Sequence, residues 1–448
     1  MSIIIPANSA VGGGIEGNSC RFNAGSSDFL NRTFGTPTNN KKYTYSTWVK
    51  RCDSQYNVLF NAGSSRDCLR FRGDNDRLHF FTGEATSAGL ATNRVFRDPS
   101  AFYHIVLAVD TTQGTDTNRV KIYVNGVQET SFAVTNYPAQ NYTNVINSAV
   151  VHRIAHASNS YDEYFAGYMA ETVFIDGLQL TPTSFGQFNG DSDVWQPIDV
   201  SGLTFGNNGF YLDFEDSSAL GNDAAGSNNW TTNNLTAIDQ TTDSPTNNFA
   251  TLNSIDNGYG TILFTEGNTR GEGSGSGWKP ARGSMGVSSG KWYWEMNMTG
   301  SNQMGVSNET IDMDNDNSQD LVGVTVFYNA SGGVIRTDGS QVGGTTATFA
   351  ADGSDIAGYA LDMDNKKLSI YKNGSIIVTN TALSTSITDF ALPFFCVNGG
   401  GTWSVNFGNP SVALSSAVAD GNGYGAFEYE PPSGYLALCT ANLSEELS

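Results

Sequence analysis

The chain has 448 residues, 50 of them Gly, with 39% hydrophobic and 15% charged residues; that length exceeds one ordinary sandwich and suits two domains. Its 44 acidic residues outnumber 23 Lys and Arg, for a formal net charge of -21, a field that repels phosphate backbones and anionic lipid and so excludes nucleic acid as a partner. Cys20, Cys52, Cys68, Cys396 and Cys439 form no CxxC pair and have no His at zinc-ligand spacing, so they read as buried free thiols rather than a metal knuckle or a disulfide scaffold.

Residues 1–19 read as an N-terminal arm. The opening MSIIIPANSAVGGG has no basic stretch before its apolar run, which Pro6 breaks at once, so no signal peptide is expected. No segment approaches the ~20 continuous apolar residues of a membrane helix, and no membrane insertion is expected. Strand alternation begins at residues 43–49 and recurs at 77–81, each bounded by Gly, Asn or Asp. Residues 102–110 and 119–124 read as the arms of a hairpin continued by Asn125-Gly126, a pair that tolerates positive φ at both positions. A further strand over 165–175 ends at Asp176-Gly177. Residues 20–204 are therefore expected to form one antiparallel sandwich.

From 205 to 254 the composition shifts to Asn, Thr, Ser and Asp with Pro245, and a linker is expected. Strand patterning resumes over 255–408. In residues 290–298, Trp292, Trp294 and Met296 share one face and Tyr293 and Glu295 the other, so one face is expected in the core and the other at least partly wet. Residues 356–362 and 368–372 form a second hairpin continued by Asn-Gly, at Asn373-Gly374, which points to similar architecture in the two halves. Residues 409–448 form a C-terminal extension. Its Phe427, Tyr429 and Tyr435, like residues 1–14, are either docking pieces or an arm packed on the chain's own domains. The fold class expected is all-β, two antiparallel β-sandwich domains in tandem.

Residues 20–185 resemble the laminin G and pentraxin-like branch of concanavalin A-like jelly-roll sandwiches, through Asn31-Arg32-Thr33-Phe34, Trp48-Val49-Lys50-Arg51, Tyr103-His104-Ile105-Val106 and Tyr123-Val124-Asn125-Gly126. Residues 255–408 resemble a SPRY domain, through Gly290-Lys291-Trp292-Tyr293-Trp294-Glu295, Leu361-Asp362-Met363-Asp364, Ile370-Tyr371-Lys372-Asn373-Gly374 and Trp403-Ser404-Val405-Asn406-Phe407-Gly408. The module order, with Tyr211-Leu212-Asp213-Phe214 between the two and Tyr429-Glu430-Pro431-Pro432 near the end, is similar to virion proteins of tailed phages, especially marine ones. This resemblance implies a non-enzymatic virion structural protein of tail-fibre or receptor-binding type, made in the host cytoplasm and carried on the virion. Its implied partners are other virion proteins and a host-surface glycan or protein receptor. Fibres are commonly trimers, so a homo-oligomer is implied, although no heptad or β-helix period drives one. A capsid or tail decoration protein without receptor binding is the alternative, and a surface polysaccharide depolymerase the third.

Glycoside hydrolysis on such folds needs paired carboxylates, commonly Glu-x-Asp-x-x-Glu, and that spacing is not found. Asp162-Glu163 and Glu215-Asp216 are adjacent pairs, which in a strand point to opposite faces. No nucleophile elbow, His-Glu-x-x-His or Walker loop occurs, and of His79, His104, His152 and His156 the second sits in an apolar strand and reads as structural. The chain is not expected to be an enzyme. Ca²⁺ is the one cofactor considered. Asp312, Asp314 and Asp316 begin like an EF-hand loop, yet Asn317 stands where such loops need Gly and Gly323 where they need Glu, so a looser calcium site competes with a plain surface loop. The resemblance to laminin G modules adds Asp110, Asp116 and Asp176 as acids that can contribute to a calcium site at the sandwich rim. For sugar, which stacks on aromatic faces, the candidates are Trp195, Trp230 and Trp278, in loop-like and more open surroundings; Trp48, Trp292, Trp294 and Trp403 are assigned to cores.

Overall fold

Alternating apolar residues need a second wall to bury them, and here they find it in two separate units whose boundary in sequence falls between Asn247 and Asn248. The computed structural model describes residues 17–63, 67–82, 89–157, 163–190, 192–258, 261–314, 321–328, 333–343 and 348–445. With 48% strand and 4% helix the protein is all-β, as expected. Among the described residues no helix is long and apolar enough to cross a membrane. All five cysteines are buried free thiols. Residues 1–14 lie outside the described residues.

In the first unit one eight-stranded sheet runs Val127–Gln128, Val120–Val124, Tyr103–Asp110, Lys42–Arg51, Gly167–Asp176, Ser19–Phe22 and Gln240–Thr241, with Phe210–Leu212 also on Gly167–Asp176. This is the Trp48 sheet. The other, the His79 sheet, runs Phe132–Asn136, Gly89–Val95, Arg77–Phe81, Cys68–Phe71, Asn57–Ala62, Val151–Ile154, Phe29–Thr33 and Thr231–Asn233. The strand period of two puts Tyr45 of one sheet against Phe60 of the other, rings stacked at 4.7 Å, in a core that includes Leu69, Phe71, Leu78, Phe80 and Phe174. Asn125 (φ 48°) and Gly126 (φ 80°) make the expected tight turn after Val120–Val124.

The outer faces of the two sheets differ. Over the Trp48 sheet, Phe185 and Val200, with Leu180, Leu203 and Phe205, roof Val106, Ala108, Val173 and Ile175. Beside them Trp195 covers Trp48, Phe102 and Tyr168. The His79 sheet carries no second apolar layer among the described residues; Arg70, Arg72, Arg77 and His79 alternate outward between core residues.

The expected linker is not one. Phe210–Leu212 and Thr231–Asn233 are strands of the first unit, Trp230 packs edge-on at 4.9 Å from Phe210, and Gln240–Thr241 pairs with Ser19–Cys20. Lys50 Nζ lies 2.8 Å from an Asp243 oxygen with both side chains fully buried. Residues 209–214 look strand-like in sequence, but Thr231–Asn233 and Gln240–Thr241 were hidden because strands of two or three residues show no period.

In the second unit two long strands, Lys291–Ser307 and Leu392–Asn406, each serve two layers. Their first and last parts pair Thr299 with Thr402 and Ser301 with Asn398, so Gly399, Gly400 and Gly401 oppose the single Gly300. A Cβ on Gly401 would lie 2.7 Å from the Thr299 carbonyl oxygen, so only glycine lets the strands pass where the ladder turns. Before the bend Lys291–Ser307 pairs with Asp352–Asp362, and after it with Val324–Tyr328. Trp292, Trp294, Met296, Phe395, Val397 and Trp403 fill the space between the layers.

The face of Tyr293 and Glu295, expected to be partly wet, is dry: each is 2% exposed. The C-terminal extension covers it. Leu436–Ala437 runs parallel to Trp292–Tyr293, Phe427 sits 5.2 Å from the Tyr293 ring, and Glu295 accepts the N–H groups of Glu428 and Tyr429 at 2.8 Å. Of the two readings of this segment, the packed arm is the one seen.

Removing one partner of the Lys50–Asp243 pair strands a buried charge, which costs about 3–5 kcal/mol. Lys50→Met or Asp243→Asn is expected to lower the unfolding free energy of the first unit, read from its urea transition, by that amount, whereas the joint change Lys50→Met with Asp243→Leu recovers most of the loss. Single variants that unfold like the unsubstituted protein would remove the pair from the account of this unit.

Candidate functional site

The hairpin of Cys68–Phe71 and Arg77–Phe81 sends Leu69, Phe71, Leu78 and Phe80 inward, so Arg70, Arg72, Arg77, His79 and Phe81 face out from adjacent strands. Arg70 and His79 are directly opposed across the strands, and the Arg72 N–H donates to the Arg77 carbonyl at 3.0 Å. Arg70 lies over two rings, 4.5 Å from the centroid of Phe81 and 5.1 Å from that of Tyr56, and Arg72 lies 5.8 Å from Tyr56. His79 packs at 3.8 Å on Phe81. The short hairpin of His156–Ala157 and Glu163–Tyr164 brings Glu163 into an ion pair with Arg70, while Asp74 holds Arg72. Tyr56 is half-buried and Arg77 partly exposed.

Hydrogen bonding on this face is incomplete. His79 is 2% exposed, yet neither ring nitrogen has a partner, and the Nε atoms of Arg70 and Arg77 are also buried without acceptors. Burial, then the Arg72 and Arg70 charges, with Asp74 opposing, push the imidazole down to about 4, so near neutral pH it is uncharged with one donor and one acceptor unused. Each unused buried group costs about 1–3 kcal/mol. Two other buried histidines use both ring nitrogens or accept across the core: His104 accepts from Trp195 Nε1 at 2.9 Å and meets Ser46 Oγ at 2.8 Å, and His152 accepts from the Asn147 N–H at 3.1 Å. Arg70, His79 and Phe81 are buried, so it is the partly exposed Tyr56, Arg72 and Arg77 at the edge of this face that can meet a hydroxyl-rich ring. The sequence signal was available: cationic residues at outward positions on both strands of one hairpin, in an acidic chain.

The residues expected to bind sugar are placed elsewhere. Trp195, Trp230 and Trp278 are 7%, 5% and 9% exposed, so none presents the open ring expected of it. Trp195 is held between Gly126 and Gly186, where a Cβ would lie within 2.7 Å of its ring. Trp230 belongs to the first core, and Trp278 packs with Phe394 and Cys396 in the second unit.

Asp312 and Asp314 are exposed and joined only by a local N–H bond of 3.0 Å; Asp316 lies outside the described residues. Of the rim acids, Asp176 accepts from Thr38, Asn39 and Asn208 N–H groups and from Asn147 Nδ2. Asp110 holds Thr112, Gln113 and Lys42, and Asp116 accepts the Thr117 N–H within the exposed 3-10 turn Asp116–Asn118. These carboxylates fold loops and are not gathered: among the described residues no three His, Cys, Asp or Glu could hold a metal ion. In the second unit a groove of about 320 Å³ lies between Ile356, Ser404 and Val412, but Glu295 at its base is saturated by Tyr293 and the arm.

Sequence reasoning also missed Glu171. It sits in the bulge of Gly167–Asp176 with φ 48°, and Tyr211 donates to it at 2.6 Å. Burial pushes its carboxyl up to about 7, against the Tyr211 bond and with Asp213, Glu215 and Asp199 adding to the rise. Below its ordinary 4.5, folded and unfolded chains are both protonated and nothing is lost; between 4.5 and 7 stability falls as pH rises. The full penalty above 7 is about 3 kcal/mol. Glu171→Gln, which keeps an acceptor for Tyr211, is expected to raise the unfolding midpoint at pH 8 and leave it unchanged at pH 4. Equal effects at the two pH values would contradict this.

Residues 24–183 match the family model described as the concanavalin A-like lectin/glucanases superfamily. No curated protein matches the sequence. Among solved structures, the SPRY domain of human HERC1 is 20% identical, with 34% of this chain and 96% of that one covered and a TM-score of 0.30. The TRIM65 PSpry domain is 14% identical, with 35% and 91% covered and a TM-score of 0.29. A putative carbohydrate binding protein from Bacteroides ovatus is 16% identical over 49% of this chain and 59% of that one, with a TM-score of 0.35. Residues 24–183 of the first unit are thus similar to the laminin G-type, concanavalin A-like family over that stretch, and the unit has two facing sheets.

Proposed function

We propose that this chain is a virion surface protein of tailed-phage type whose first unit binds a host-surface glycan on the outer face of the His79 sheet, without cleaving it. One observation carries the reading: in a lectin-type domain, the partly exposed Tyr56 ring and Arg77 guanidinium stand at the edge of the His79 sheet face, beside buried His79 and Arg77 nitrogens that have no partner among the described residues. A glycan offers hydroxyls for those nitrogens and an apolar ring face for Tyr56. The carboxylates alongside, Glu163 and Asp74, are held by Arg70 and Arg72, so neither stands as the free acid or base that glycosidic cleavage needs. The virion assignment follows the module order and its likeness to phage proteins. Other virion proteins are its proposed neighbours, and a homo-oligomer of fibre type its proposed assembly.

Screening the full chain on a glycan array is expected to give binders, with Tyr56→Ala weakening the best of them about ten-fold, near 1.4 kcal/mol, at unchanged thermal stability. Gold label against the protein is expected at fibre tips of intact virions, with purified protein blocking adsorption. Label over the head or the tail body without blocking would make it an assembly or decoration protein.

A further inference from the structure

We propose that the glycan this face takes is acidic, a saccharide bearing carboxylate or sulfate groups, and that Arg77 is the residue that pairs with its charge. The proposal rests on the glycan-binding reading above and deepens it. A chain of net charge -21 repels acidic polymers at a distance, so a cationic face on it has a local cause.

Three guanidiniums and an imidazole stand on two adjacent strands, but only two of the guanidiniums are balanced: Arg70 by Glu163 and Arg72 by Asp74. Arg77 has no ion pair or side-chain hydrogen bond among the described residues, and its Nε is buried. A guanidinium presents two parallel N–H donors at the spacing of carboxylate or sulfate oxygens, and a charge-assisted pair of this kind is stronger than a bond to a neutral hydroxyl. His79, two residues away on the same strand, is 2% exposed and packed on Phe81, so on this strand it is the partly exposed Arg77 that can meet the charge of a ligand. Tyr56, lying under both Arg70 and Arg72, provides the ring on which the sugar body rests. A neutral sugar offers Arg77 only hydroxyls, whereas an acidic one also pairs its charge, and selectivity follows from that difference.

The test measures binding of the full chain to four probes: oligogalacturonate, its methyl ester, dextran sulfate and dextran. At least one acidic probe is expected to bind ten-fold or more tighter than its neutral counterpart, and the two acidic arms tell carboxylate from sulfate. Arg77→Gln should abolish that preference, Arg77→Lys should restore part of it, and Lys121→Gln on the opposite sheet should change nothing. Equal binding of charged and neutral probes, with glycans still captured on the array, overturns the acidic assignment alone. A preference that survives Arg77→Gln in a protein of unchanged melting temperature overturns the role of Arg77. Capture of no glycan at all overturns the underlying reading as well.

Discussion

Lys50 and Asp243 form an ion pair with both side chains wholly out of water, 193 positions apart in the chain. Withdrawing two ions from water costs several kcal/mol each, and their attraction offsets this only when the geometry is complete. Here Ser19 Oγ also donates to the Asp243 carbonyl at 2.6 Å, and the ammonium lies 5.3 Å from the Tyr168 ring centroid. The pair therefore holds the end of the first unit to its central strand, and the Asn- and Ser-rich stretch before it is drawn in as structure. Trp230, Phe210 and Leu220 then close the core between the sheets. A first domain cut at residue 204 would lack those residues and the partner of Lys50.

The same demand, that nothing apolar or charged be left half covered, shapes the three outer faces and separates one from the others. The Trp48 sheet has apolar outer residues and is roofed by residues 180–205. The central strand of the second unit has Tyr293 and Glu295 outward and is roofed by the arm from Phe427 to Cys439. On the His79 sheet the outward residues are guanidiniums, an imidazole and two rings, with no apolar layer above them among the described residues. The edge of this face, at Tyr56 and Arg77, is partly exposed, and buried polar groups beside it are unsatisfied.

Local signals were legible where the chemistry is local. Asn125-Gly126 and Asn373-Gly374 both adopt positive φ because few other pairs accept it, and Trp292, Trp294 and Met296 point inward because a strand alternates. What depended on distant residues was not legible. Trp195 reads as a loop tryptophan until Gly126 and Gly186 are seen on either side of its ring. Gly300 stands out in no sequence pattern, whereas Gly399 to Gly401 opposite it let one strand continue through a bend. Asp110 and Asp176 look like metal ligands in a linear list, yet backbone N–H groups and side-chain donors already fill their oxygens. Arg77 and His79 looked like ordinary outward residues, and their interest lies in the absence of partners, which no sequence pattern encodes.

Hydrogen exchange on the full chain, with and without a saccharide taken from the array, tests the placement of the site most directly. The account predicts slowed exchange confined to residues 55–58 and 70–81 of the first unit, where Tyr56, Arg70, Arg77 and His79 lie. Slowed exchange in the second unit, or at the loop around Trp195, with residues 70–81 unchanged, would contradict it.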